Sequence, residues 1–259
     1  MDENSYLFSI LLVSLVSFIF PAIGLGGGQI YTPAFHWLGI PVKSAVSLAL
    51  WLSFISTSIA SFNYFKAKLI DLKAGVPIAI PLLISAPIGA TFTGIVSDKI
   101  ILFTFAVITT IGVAQSLIGW KPKEEYSTKT KVIISILVGA SVGFVGGMVG
   151  RGGGSLILPA LLILGLKHRN AAAISVFCVN AGVFVSFIVH ATLGHIVIDV
   201  PWFLALTVIA FLGAFFGSRL MTRRFKHKTI KYLFATVLSG MAIKLYLSLI
   251  HISEPTRPY

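Results

Sequence analysis

Gly24-Leu25-Gly26-Gly27-Gly28-Gln29-Ile30-Tyr31-Thr32-Pro33 has a twin in the same chain. The twin is Gly150-Arg151-Gly152-Gly153-Gly154-Ser155-Leu156-Ile157-Leu158-Pro159, 126 residues further on. Both copies carry a G-x-G-G-G core, a proline nine positions after the first glycine, and an apolar run to a second glycine, Gly39 or Gly165. Each lies in a long apolar segment, where glycine costs a helix about 1 kcal/mol per residue relative to alanine. Breaks at matching places in two halves point to the binding site of a transporter built from internal repeats.

Composition sets the surroundings of these breaks. Of 259 residues 56% are hydrophobic and 11% charged, with a mean hydropathy of +0.96. Apolar runs of about 20 residues in such a chain read as membrane spans. The formal charge of +12 gathers in short loops, as membrane orientation requires, and does not mark a nucleic-acid binder. One cysteine, Cys178, sits in an apolar run, which excludes an intrachain disulfide and a cysteine-based metal site. The amino terminus lacks the basic region of a signal peptide, so the first apolar run is expected to remain as a span.

The pattern predicts an all-α polytopic membrane protein of about eight transmembrane helices. They form two internal repeats, each with a glycine-broken helix or re-entrant segment. Residues 1–119 form the first repeat, 120–131 a polar linker, 132–250 the second repeat, and 251–259 a disordered or non-native tail. Spans are expected at 6–23, 44–62, 72–95 and 100–118, then 132–149, 171–189, 200–220 and 230–250, with short apolar pieces after each break. A single helix over residues 6–38 would run about 50 Å at ~1.5 Å per residue, longer than the ~30 Å hydrocarbon core. A change of direction at the break is therefore favoured. Further pairs support the repeat: Ala45 with Ala171, Ile70-Asp71 with Ile198-Asp199, and Ala86-x-x-Gly89 with Ala214-x-x-Gly217. Four crossings per half would give both halves the same orientation, about an axis along the membrane normal. On that count, basic residues divide ten to seven between the faces, leaning towards a cytoplasmic Arg219–Lys231 side.

A helix restarting after Gly28 or Gly154 leaves its first N–H groups without intrahelical partners, beside roughly half a positive charge from the aligned peptides. Without Cβ atoms, Gly26, Gly27, Gly28, Gly152, Gly153 and Gly154 let a ligand reach that backbone. Two such termini would hold one anion. A Walker loop is absent, since no G-x-x-x-x-G-K-[ST] run occurs. Arg151 is an intramembrane arginine with no mid-span carboxylate to pair with, a functional position by default. Its fork matches two oxygens of a carboxylate, sulfonate or sulfite. Gln29 and Ser155 follow the glycines at equivalent places and could add hydrogen bonds. Ser175, Asn180 and Ser56 lie mid-span, where interhelical bonding competes with a ligand role. His190 and His195 could carry a coupled proton, although a satisfied packing histidine is the commoner case. Asp71 and Asp199 read as helix N-caps.

These motifs resemble the TauE/SafE sulfite exporter family. The resemblance rests on G-x-G-G-G-x-x-x-x-P at the end of the first span of each half, then apolar-Gly, alanine-rich spans and Ile-Asp before a further span. It covers about residues 7–249. It implies a multi-pass permease for small sulfur-containing anions such as sulfite, sulfonates, sulfoacetate or thiosulfate. The family pattern usually has a Thr-Ser pair a few residues into the spans after the motif. Here those places read Leu48-Ala49 and Ile174-Ser175, a departure that bears on the particular substrate.

The expected protein is a secondary transporter in a prokaryotic plasma membrane, not an enzyme, working without a cofactor. Its partners would be a small anion, the lipid bilayer and a coupling proton or sodium ion, but no nucleic acid. An anion channel, a carboxylate permease and, more distantly, a membrane-embedded enzyme are the alternatives.

Overall fold

The computed structural model describes residues 3–118, 126–150, 152–194, 199–223, 239, 240 and 243. Arg151, His195, most of the linker, most of the expected last span and the tail lie outside the described residues. Nine helices follow in order among those described: α1 (Glu3–Ile19), α2 (Gly28–Trp37), α3 (Val42–Lys66), α4 (Leu72–Ile95), α5 (Asp98–Ile118), α6 (Thr128–Val149), α7 (Gly154–Ile163), α8 (His168–Thr192) and α9 (Val200–Arg223). Six of them are long and apolar enough to cross a membrane. Their outer faces show it. Leu7, Leu11 and Leu15 of α1 are each about 60% exposed, at the helical spacing that lays one apolar stripe towards lipid. Val13, Val16 and Ser17 on the opposite face are buried.

At the first break the chain turns back. Trp202, at the start of α9, takes Ser9 of α1 as hydrogen-bond acceptor at 2.9 Å and meets the ring of Tyr6 edge-on. It also meets Phe35, near the end of α2. The start of α1 and the end of α2 therefore share one face of the protein. The reversal is a 3-10 turn at Pro21–Ile23 followed by Gly24 at φ +89°. This is the change of direction that the length of residues 6–38 favours.

Element lengths recur along the chain. α2 and α7 have 10 residues each, α3 and α8 have 25, and α4 and α9 have 24. Packing recurs with them, crosswise: α1 lies on α9, and α6 lies on α4. A Cβ on Gly89 of α4 would overlap the Phe144 carbonyl of α6, and one on Gly217 of α9 would overlap the Phe18 carbonyl of α1. Phe144 follows Phe18 by 126 positions, and Gly217 follows Gly89 by 128. Both contacts put backbone against backbone, which only a missing side chain permits.

The relation between the halves differs from the sequence expectation. Ser47, near the start of α3, meets His190, near the end of α8. At the other end, Ala60 and Tyr64 of α3 pack with Ala172, Ala173 and Val176 of α8. α3 and α8 are equivalent helices, and they run antiparallel. The halves are thus inverted, with the pseudo-two-fold axis in the membrane plane and not along its normal. The reason is parity: each short helix after a break carries the chain back across, adding a traverse to each half.

Inversion also redistributes the charges. Lys43 and Lys99 mark the face where α3 and α5 begin. The opposite face holds Lys66, Lys68, Lys73, Lys129, Lys131, Lys167, Arg169, Arg219 and Arg223 among the described residues. The near-even split expected for parallel halves becomes a strong asymmetry.

Candidate anion site between the two breaks

The two breaks meet at the centre. A Cβ built on Gly154 would lie 3.1 Å from the Gly24 carbonyl and 3.1 Å from Leu25 Cα. Gly26 and Gly152, from opposite halves, converge on one methyl group, Val179 Cγ1 of α8, at 3.0 and 2.9 Å from where their Cβ atoms would stand. Gly152 and Gly153 have φ of +70° and +74°, a left-handed backbone that residues with a Cβ rarely adopt. Gly150 at the same break has φ +73°, so the backbone alone accounts for these three glycines without reference to a ligand.

Several carbonyls at the breaks are bonded by side chains. The last carbonyls of α6 are occupied: Thr93 donates to Met148 at 2.8 Å, Thr32 to Val149 at 3.5 Å, and His190 Nε2 lies 3.3 Å from Gly147. At the first break Tyr64 donates to the Pro21 carbonyl at 2.8 Å. By contrast, neither α2 nor α7 has a side-chain cap at its amino end. Gly28, Gln29, Gly154 and Ser155 there are all buried. A buried, uncapped helix start presents N–H donors and the positive end of the peptide dipoles. Helix starts of this kind favour negative charge over positive.

Hydroxyl groups add to this. Four buried hydroxyls among the described residues lack a hydrogen-bond partner: Ser53, Ser61, Ser155 and Ser186, while the Tyr31 hydroxyl has those of Ser56 and Ser17 beside it. Three of them border the breaks. Ser53 stands beside Gly26, and Ser155 follows Gly154. Ser186 lines a small cavity with Gly152. A buried hydroxyl left unpaired costs stability unless water or a ligand meets it.

The residues expected from sequence divide accordingly. Gly26, Gly28, Gln29, Gly152, Gly154 and Ser155 gather at the centre. Gly27 is screened by the Tyr31 ring, and Gly153 by Val142. Ser175 donates to the Gly154 carbonyl at 3.3 Å, fastening the start of α7. Asn180 accepts from Ser58 at 2.8 Å and Thr57 at 3.1 Å, joining α8 to α3. Arg151 lies outside the described residues. Thr32, Thr93, Tyr64 and Ser186 were not singled out, because nothing in local spacing shows which distant carbonyl or cavity a mid-span hydroxyl will meet.

A family model described as sulfite exporter TauE/SafE matches residues 9–245. The chain is 26% identical to the probable membrane transporter protein MJ0441 of Methanocaldococcus jannaschii, over 95% of this chain and 98% of that one. It is 24% identical to the probable membrane transporter protein YunE of Bacillus subtilis, over 90% and 94%. A probable membrane transporter protein of Haemophilus influenzae is 27% identical over 93% and 98%. With doubled breaks, apolar helices and a match over nearly its whole length, the chain belongs to the sulfite exporter TauE/SafE family of membrane transporters.

Proposed function

We propose that this transporter is a secondary carrier for a small sulfur-containing oxyanion such as sulfite, thiosulfate or a sulfonate. One observation carries the reading: the buried starts of α2 and α7, neither capped by a side chain, lie where the two breaks converge. The N–H groups after Gly28 and Gly154 bind the charge, Gln29 and Ser155 add hydrogen bonds, and Arg151 supplies a fixed cation. Transport follows an ion or substrate gradient. Purified protein in liposomes preloaded with unlabelled thiosulfate is expected to take up labelled thiosulfate faster than empty controls. Such trans-stimulation requires a carrier; its absence alongside rapid uptake would identify a channel.

The face carrying Lys66, Lys73 and Arg219 is assigned to the cytoplasm of a prokaryotic plasma membrane, following the excess of lysine and arginine there. Single cysteines in a Cys178→Ala background check it. A cysteine at Ser97 should react in intact cells with a thiol reagent that cannot cross the membrane, and one at Ser127 only after lysis. The opposite pattern would reverse the assignment.

A further inference from the structure

We propose that the cavity between α4, α6 and α8 is a subsite for one oxygen of the transported anion, with Ser186 as the donor that fixes it. The proposal rests on the carrier reading and names how the anion of that site is oriented. The cavity measures about 10 Å³, room for about one water-sized atom. Leu82 and Ala86 of α4, Val142 of α6 and Val183 of α8 form apolar walls, and Gly152 brings the second break to it.

Ser186 supplies the polar group. It is 1% exposed, and its hydroxyl has no hydrogen-bond partner among the described residues. A group buried in this way is normally paired. Ser186 stands on the face of α8 that meets the break. Val183, one turn earlier, and Val179, a turn before that, each hold a Cγ1 methyl 2.9 Å from where a Gly152 Cβ would be. An anion oxygen takes the hydroxyl proton, and the nearby start of α7 adds the positive end of its peptide dipoles. Among the described residues no carboxylate lines the cavity to repel it.

Gly146, which also lines the cavity, keeps the space open. Its neighbours on α6 are glycines for packing: a Cβ on Gly139, Gly143 or Gly147 would overlap α4 at the Ile78, Leu82 or Ala86 carbonyl. A Cβ on Gly146 would meet nothing nearer than 3.5 Å, the distance to the Gly153 nitrogen. Its φ is not left-handed, and alanine is the better helix former. Neither packing nor conformation asks for glycine at this position. A methyl there would stand against the Gly152 and Gly153 nitrogens, in the place assigned to the oxygen.

The first half differs at both positions. By the 126-residue offset, Phe20 is the equivalent of Gly146 and Ala60 that of Ser186. Both are buried and apolar. The repeated fold is thus built once without the gap and the hydroxyl. Arg151 stands in the second half too, where the first has Leu25. The polar departures from symmetry fall in one half, which gives a single anion one orientation.

The test compares the whole parent protein with Ser186→Ala and Gly146→Ala, by thermal unfolding without anion and by calorimetry with sulfite and thiosulfate. Without anion, both variants should melt at or above the parent's temperature. One loses an unpaired buried hydroxyl, and the other gains helix propensity without a clash. Ser186→Ala should bind each anion about tenfold more weakly or worse, the worth of one hydrogen bond to a charged group. Gly146→Ala, which fills the place of the oxygen, should lose as much. Both anions present oxygens, so both should be affected. Residues kept only for the fold would give the reverse, lower melting with unchanged affinity. Lower melting of either variant without anion, parental affinity in either, or a loss confined to one anion overturns the proposal. A parent that binds neither anion overturns the carrier reading along with it.

Discussion

Leucine at Gly89 or at Gly217 is expected to unfold the protein at markedly lower temperature, and by similar amounts at the two positions. Each glycine holds its helix against a carbonyl of the facing helix, Phe144 on α6 or Phe18 on α1, where even a Cβ would overlap. A flexible side chain could yield to the added bulk; main chain within a helix cannot. Overpacking of this kind costs typically 1–3 kcal/mol and occasionally more. At about 2–4 °C per kcal/mol for a chain of this size, the melting temperature in detergent should fall on the order of 5–10 °C. Equal losses follow from inversion, which makes the two contacts images of one another. A large loss at one position with none at the other would mean that the crosswise packing of the halves is wrong.

The second large effect concerns Arg151, where the repeats differ: the first break has Leu25 at that place. One charge for two breaks fits a single shared site better than two equivalent ones. A hydrogen bond to a charged group contributes about 1.5–3 kcal/mol, so Arg151→Ala should weaken anion binding roughly 10- to 150-fold at ~1.4 kcal/mol per decade. Arg151→Lys keeps the charge and loses the planar fork, and should recover part of the loss. The matching control in the first half is Leu25→Met. Leu25 is buried and touches Gly154, so truncation to alanine would disturb the packing of the breaks as well as their electrostatics. Parental affinity in Arg151→Ala would make the arginine structural.

Much of this architecture was legible in the residues. The limits of α4 follow from its apolar run between Asp71 and Val96, and Asp71 caps it as read, accepting from the Lys73 amide at 2.9 Å. Asp199 stands immediately before α9 and accepts from the Tyr6 hydroxyl at 3.2 Å. The breaks stood out because clustered glycine is costly in a helix. What stayed hidden was relational. Whether a ten-residue helix returns across the bilayer decides the orientation of everything after it, and neither hydropathy nor spacing records direction. Tyr64 and His190 hold equivalent places, 126 positions apart, against the Pro21 and Gly147 carbonyls, a kinship that their unlike side chains conceal.

The structure also changes which glycine variants are informative. Leucine at Gly27 or Gly153, the natural choice from sequence, would run into the Tyr31 ring or Val142. Either protein could lose transport by losing the break itself. Gly26→Ala is cleaner. Its φ is not left-handed, and the new methyl would stand 3.0 Å from a single side-chain methyl, Val179 Cγ1. A shift of a few tenths of an ångström accommodates it while narrowing the place where the halves meet.

The claim that one anion sits between the breaks and draws on both halves is tested most directly by calorimetry. Thiosulfate is titrated into the parent, Gly26→Ala and Arg151→Ala proteins after each is shown to be folded. The account predicts one anion per chain in the parent, and weakening of that same binding event by either variant, one from each half. Two independent sites per chain, or a variant that binds thiosulfate as tightly as the parent, would contradict it.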